Sequence, residues 1–207
     1  MVVLSDKDIY RRLLKKEITI HPILDARQIQ GAKIDLRLGN IVYIIRHFAQ
    51  PCYDPRTADP KVKYGEDRLI GFCKAKENKG FILQPGDFAI APLFERVRIP
   101  QFMIGRLDGR SSLGRLGLVI HVTAGGIDPG YAGHITCELS NLGKVPIALH
   151  PLQRIASLTL ETLDEEAILA YRKRGHSEGK YSDILTTMLS QDKEFTTHIL
   201  DSVAEIL

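Results

Sequence analysis

Gly109-Arg110-Ser111-Ser112-Leu113-Gly114-Arg115 sets two guanidiniums and two hydroxyls between glycines. Arginine binds phosphate oxygens as a fork and stays charged at any useful pH. Glycine lets a backbone approach an anion closely. The run is not a P-loop, because the Gly-Lys-Ser/Thr ending is missing. It reads as a binding loop for a phosphorylated small molecule, the alternative being an ordinary polar loop between strands. A few residues on, His134-Ile-Thr-Cys-Glu-Leu-Ser140 alternates strictly. Ile135, Cys137 and Leu139 face one way, and Thr136, Glu138 and Ser140 the other. Glu138 thus shares a face with hydroxyls. Alone it is a surface carboxylate; beside the Arg110–Arg115 loop it would stay ionised and could take a proton from water.

Between these two segments, Gly126-Ile-Asp-Pro-Gly-Tyr131 has Pro and Gly where a type II turn wants them. Asp128 and Tyr131 would stand at its ends. Together they could hold a sugar hydroxyl and a sugar face, or the segment is a hairpin turn with a buried Tyr. His121 lies inside the apolar run 116–122, where a lone His is usually a hydrogen-bonded core residue. The three Cys, at 52, 73 and 137, match no zinc spacing and fit a reduced, cytoplasmic compartment. Nothing matches the His-x-Glu … Pro-Cys-x-x-Cys zinc pattern, and no other His, Cys and carboxylate cluster has ligand spacing. No metal bound by protein side chains is expected.

The elements that must carry these residues are read from period and punctuation. Ser5 is a candidate helix N-cap with Asp8 three residues on, and the helix it opens is expected to end near Glu17. Ile34, Leu36 and Leu38 alternate with Lys33, Asp35 and Arg37 as a half-buried strand. Asn40–Arg46 is a second β-rich run. Further strands are expected at Gly80–Leu83, Phe88–Leu93, Val97–Ile99, Gly117–Val122, His134–Leu139, Val145–Leu149 and Ile155–Leu160. Many short strands between Gly/Pro turns predict a sandwich or barrel-like β body. Residues 47–79 read as a long excursion with little regular structure. The final stretch, from residue 182 on, has helical spacing and no Gly or Pro.

The chain has 207 residues, enough for one domain or one domain plus an appendage. A formal charge of +3 is mild and argues against a dedicated nucleic-acid binder. The first residues turn charged too early for a signal peptide. No apolar run approaches the ~20 residues a membrane helix needs.

Taken together, LSDKDI, GAKIDLRLGN (31–40), QPGDFAIA (84–91), DGRSSLGRLGL, HVTAGGIDPGYAGHITCELSN and PLQRIASLTLE resemble the dCTP deaminases of the trimeric dUTPase-like superfamily. The resemblance covers roughly residues 1–181. It implies a mainly β, dUTPase-like distorted barrel or jelly-roll (β-clip) with a short N-terminal helix, here followed by a helical C-terminal extension. The expected division is a β domain over 1–170, a nucleotide-covering segment over 171–181 and the extension over 182–207. A homotrimer with active sites between subunits is implied, without zinc, nucleic acid or membrane.

The resemblance implies hydrolytic deamination of dCTP to dUTP and ammonia, supplying dUTP or dUMP for thymidylate synthesis. Glu138 matches the general base, Arg115 and Ser111 the residues around the water, and the backbone of Ala124 the group that helps orient it. Arg110, Ser111 and Ser112 fall on triphosphate-contacting positions, within a binding loop that also contains Leu113, Gly114 and Arg115. Asp128 falls on the position facing the 3′-hydroxyl. Thr136, Cys137 and Glu138 line the base pocket by the same carry-over. Tyr171 and Lys180 match two closing residues; the third, a Gln, has no clear match. Magnesium would enter with the triphosphate, and dTTP is a possible feedback inhibitor. Gly125 resembles the bifunctional members, which also hydrolyse dUTP to dUMP and pyrophosphate; a dUTPase alone and a pocket without turnover are the remaining alternatives.

Overall fold

The computed structural model describes residues 1–44, 80–123, 125–169 and 171. The chain begins with β1 (Val2–Val3), α1 (Asp6–Leu14), β2 (Thr19–His21), a 3-10 turn (Ala26–Gln28), β3 (Ile29–Gln30), β4 (Lys33–Arg37) and β5 (Tyr43–Ile44). From residue 80 it continues as β6 (Phe81–Leu83), β7 (Phe88–Arg98), β8 (Met103–Gly109), α2 (Ser111–Gly114), β9 (Leu118–Val119) and β10 (Gly126–Ile127). It ends in β11 (Ala132–Asn141), β12 (Ile147–Leu149) and β13 (Arg154–Thr162). Expectations for residues 45–79, for Lys180 and for the helical extension over 182–207 lie outside the described residues. No helix among the described residues is long and apolar enough to cross a membrane.

Among the described residues three antiparallel sheets form. One runs β10-β8-β13-β4-β3, with β1 also on β13; a second runs β2-β7-β11-β9, with β5 also on β7; β12 and β6 pair by themselves. The mainly β architecture follows from the period-two patterns. On β4, Ile34 and Leu36 are fully buried while Lys33 is exposed. On β11, Ile135, Cys137 and Leu139 enter the core while Thr136, Glu138 and Ser140 stay half-buried on the other face. A bridge between Leu38 and Leu93, and a hydrogen bond from Gly39 N–H to Pro92 O at 3.0 Å, stitch the two large sheets together.

The helix α1 starts as its sequence predicts. Asp8 N–H donates to Ser5 Oγ at 3.2 Å and Ser5 N–H to Asp8 Oδ2 at 3.4 Å, a reciprocal capping box. It stops at Leu14, short of Glu17, because Lys16 turns into the left-handed region at φ 57°. Three other elements differ from the sequence reading. Phe88–Leu93 and Val97–Ile99 belong largely to one long strand, β7. Only Leu118–Val119 of the 117–122 run pairs, since Gly117 at φ 96° bends the chain just before it. Met103–Gly109 is a strand that its glycines and charges disguise: Met103, Gly105 and Leu107 are buried while Arg106 and Asp108 are exposed.

One charged cluster lies inside. The Arg37 guanidinium donates to Glu95 Oε1 at 2.9 Å, and Arg37 N–H to Glu95 Oε2 at 2.8 Å. Gln28 Nε2 donates to the same carboxylate at 3.0 Å, and Gln28 Oε1 accepts from the Arg37 guanidinium. Glu95 is 0% exposed. Burial pushes its carboxyl upward, against the lowering effect of the Arg37 bonds. With Glu95 on β7 and Arg37 on β4, this pair ties one large sheet to the other.

Candidate functional site

Glu138 sits on β11 opposite Ile90 of β7. Its main-chain N–H donates to Ile120 O at 3.0 Å, and its carboxylate Oε2 accepts the Val122 N–H at 2.9 Å. The segment just after β9 therefore lies along the strand and fixes one carboxylate oxygen. The other oxygen has no hydrogen-bond partner among the described residues. Thr136 and Ser140 share the face, and Ser140 Oγ donates to Asp87 O at 3.2 Å. Cys137 points into the core, where burial pushes its thiol far up. Only its main chain reaches the Glu138 side.

The basic loop begins where β8 ends. Arg110 N–H donates to Ile155 O at 3.2 Å, and the short α2 turns back on the Arg110 carbonyl through Leu113 and Gly114 at 3.0 and 2.9 Å. Leu113 packs against the core and anchors the loop. Ser111, Ser112, Gly114 and Arg115 are exposed.

The two guanidiniums have different surroundings. Arg110 Nη1 donates to Asp35 Oδ2 at 2.9 Å, and Arg154 Nη1 reaches the same oxygen at 3.3 Å. The side chains of Ser111, Ser112 and Arg115 make no hydrogen bond or ion pair among the described residues. The loop thus offers one oriented guanidinium, one unengaged guanidinium and two unengaged hydroxyls to solvent, the donor set an oligophosphate needs.

The Asp128 turn forms as its sequence predicts. Tyr131 N–H donates to Asp128 O at 3.1 Å, and Gly130 takes φ 79° as a type II turn requires. Tyr131 follows the buried-ring alternative: it is 8% exposed and its hydroxyl donates to His134 O at 2.8 Å. Burial raises its phenol far above the ordinary value. Asp128 stays half-buried at the turn. Tyr171 N–H donates to Pro129 O at 2.9 Å, and its ring lies 5.2 Å from that of Tyr131. Tyr171 is thereby tied to the Asp128 turn.

Gly125 stands next to His121. Its carbonyl accepts Leu107 N–H at 2.7 Å, and a β-carbon there would lie 3.0 Å from His121 Cε1 and 3.2 Å from Leu107 O. The His121 ring fills the space that any side chain at 125 would need. Ala124 lies outside the described residues. No group of three or more His, Cys, Asp or Glu among the described residues could hold a metal ion.

Sequence reasoning passed over Asp35 and Arg154, which orient Arg110, and the Val122 N–H, which orients Glu138. Asp35 was visible only as the polar side of a strand. Its partners lie 75 and 119 residues away, beyond the reach of local spacing.

A family profile described as dCTP deaminase-like matches residues 3–163. A Methanothermobacter thermautotrophicus protein named "dCTP deaminase, dUMP-forming" is 43% identical over 83% of this chain and 84% of its own. A Haloarcula marismortui protein named "dCTP deaminase" is also 43% identical, over 94% of this chain and 98% of its own. The crystal structure of 2′-deoxycytidine 5′-triphosphate deaminase from Agrobacterium tumefaciens superposes with a TM-score of 0.58 at 25% identity. That match covers 77% of this chain and 48% of the other, so this chain spans about half its length.

Proposed function

We propose a function from one premise: the chain belongs to the dCTP deaminase-like family. Its reaction is hydrolytic deamination, in which dCTP and water give dUTP and ammonia. Glu138 takes a proton from the water as the water oxygen bonds to C4 of the cytosine. The same carboxyl gives that proton to the ring nitrogen, then takes a second from the new C4 hydroxyl and passes it to the amine, so that C4=O forms as the C4–N bond breaks and ammonia leaves. The observation that carries this reading is the Val122 N–H on Glu138 Oε2, which holds the carboxylate in place and leaves its second oxygen for the water.

Arg115 and Ser111 bound the water in this reading, with the main chain at Ala124. Arg110 and Ser112 take the phosphates, Asp128 the 3′-hydroxyl, and Thr136 and the Cys137 main chain the base. Tyr171 and Lys180 belong to the segment that covers the nucleotide. Magnesium would enter with the triphosphate and would neutralise part of its charge; a chain that offers guanidiniums and hydroxyls here suits a nucleotide that carries its own metal. Three copies are expected to assemble around the sites. The unengaged Arg115 and the exposed apolar Leu116 and Val122, 51% and 55% exposed, are where a neighbouring copy would complete the pocket. Regulation by dTTP at the same site is part of the proposal.

A second product is favoured by Gly125. The bare backbone at 125 makes room for the His121 ring, which a side chain there would displace, and the Methanothermobacter relative carries the name "dUMP-forming". In that version dUTP is hydrolysed further to dUMP and pyrophosphate. The test is product analysis of dCTP with the purified protein and magnesium, following ammonia, dUTP, dUMP and pyrophosphate together. Ammonia with accumulating dUTP means deamination alone; ammonia with dUMP and pyrophosphate means both steps. No ammonia, with dUTP hydrolysed when supplied, returns the dUTPase reading.

A further inference from the structure

The Arg115 loop and the Glu138 strand meet at one more place, which the proposed chemistry does not use. Immediately after β11 the chain turns through 142–145, and that turn presses on residues 116–117 where the basic loop ends. The contact is backbone against backbone. A β-carbon on Gly143 would overlap Leu116 O and stand 3.0 Å from Asn141 Oδ1. A β-carbon on Gly117 would overlap Gly143 N and stand 2.6 Å from Gly143 Cα. Leu142 N–H donates to Gly117 O at 2.9 Å, closing the contact.

The turn is held by one amide. Asn141 is 0% exposed, and its Nδ2 donates to Leu83 O and to Val145 O, both at 2.9 Å. Its Oδ1 accepts Gly143 N–H at 2.9 Å. Three main-chain groups from two segments thus converge on a side chain three residues beyond Glu138. Such a fully satisfied buried polar group fixes a single arrangement.

We propose that this bracket sets the distance between the Arg115 loop and the Glu138 strand, and that Asn141, Gly143 and Gly117 are positioning residues for the nucleotide reaction. The inference rests on the deaminase reading. Only glycine at 117 and 143 lets the loop exit lie directly on the turn. Any side chain there forces the two backbones apart, and the loop that carries Arg115 moves with its end. A shift of about an ångström in such a group is enough to cost two orders of magnitude in rate.

The experiment compares wild type, Gly143→Ala, Asn141→Ser and Lys144→Ala, the last an exposed residue in the same turn. Ammonia release from dCTP gives kcat and KM, and thermal unfolding is followed alongside. The expected result is that folded Gly143→Ala loses kcat/KM by about ten- to a hundredfold, with Asn141→Ser impaired in the same sense and Lys144→Ala unchanged. A lower melting temperature with kcat and KM intact overturns the proposal, since the bracket is then only structural. So does failure of both bracket variants to fold while Lys144→Ala folds. If wild type releases no ammonia from dCTP, the deaminase reading itself falls and takes this inference with it.

Discussion

Val122 lends its main-chain N–H to Glu138 Oε2 at 2.9 Å, from a segment sixteen residues earlier in the chain. A main-chain donor cannot swing away as a side chain can, so the carboxylate keeps its orientation before any nucleotide arrives. Preorganisation of this kind lets a modest acid–base pair contribute fully at the moment of proton transfer. The segment that supplies the donor also leads from the Arg115 loop to Gly125, so donor, loop and Gly125 share one stretch of the sequence.

Asp35 should govern nucleotide affinity and leave the chemistry alone. Its one oxygen takes both Arg110 and Arg154, and without that charge the two cations repel and leave their places. Asp35→Asn is expected to raise KM for dCTP about tenfold with kcat within about twofold, the effect of loosening one charged hydrogen bond. Steady-state kinetics at saturating magnesium measure it. An unchanged KM would show that Arg110 needs no anchor.

The buried Glu95 should matter for folding. Removing it strands the Arg37 guanidinium, 9% exposed, without its partner. Glu95→Ala is expected to cost about 3–5 kcal/mol in denaturant unfolding, and the double variant Glu95→Met/Arg37→Leu to recover most of it. A loss below about 1 kcal/mol in the single variant would mean water reaches the cluster.

Stability should fall on mild acidification, and His134 should be one cause. Its ring lies buried with Nδ1 3.1 Å from Leu93 O, and burial lowers its pKa below the ordinary 6.5, with Arg96 adding in the same direction. The unfolded chain therefore binds more protons than the folded one between the folded value and 6.5, so stability rises with pH across that interval. It is fully present above 6.5 and is lost as pH falls below it. Melting temperatures of wild type and His134→Gln across this range test the point. Equal pH slopes in the two proteins would remove His134 from the account.

Much of this was legible in the residues, and the limits have physical causes. The Ser5 cap, the alternation around Glu138 and the Pro-Gly turn at 129–130 are local, and each stands in the structure as its spacing predicts. Strand β8 was not legible, because Gly105, Arg106, Asp108 and Gly109 have poor strand propensity and its neighbours β10 and β13 impose the conformation. Tyr131 offered a sugar-stacking ring or a buried one with equal local support; the His134 carbonyl decided it. Asp35, Arg154 and Asn141 act on groups that only tertiary structure brings near, so no local pattern reports them.

The most direct test of the central claim sets wild type beside Glu138→Gln, with dCTP and magnesium, measuring ammonia release and equilibrium nucleotide binding. The amide has nearly the shape of the carboxylate and can still accept the Val122 N–H, but it cannot take a proton from water. The account predicts binding within about twofold of wild type and deamination slowed by about 10²–10⁴-fold or more. Turnover by Glu138→Gln near the wild-type rate would contradict it, and the base would have to be sought elsewhere.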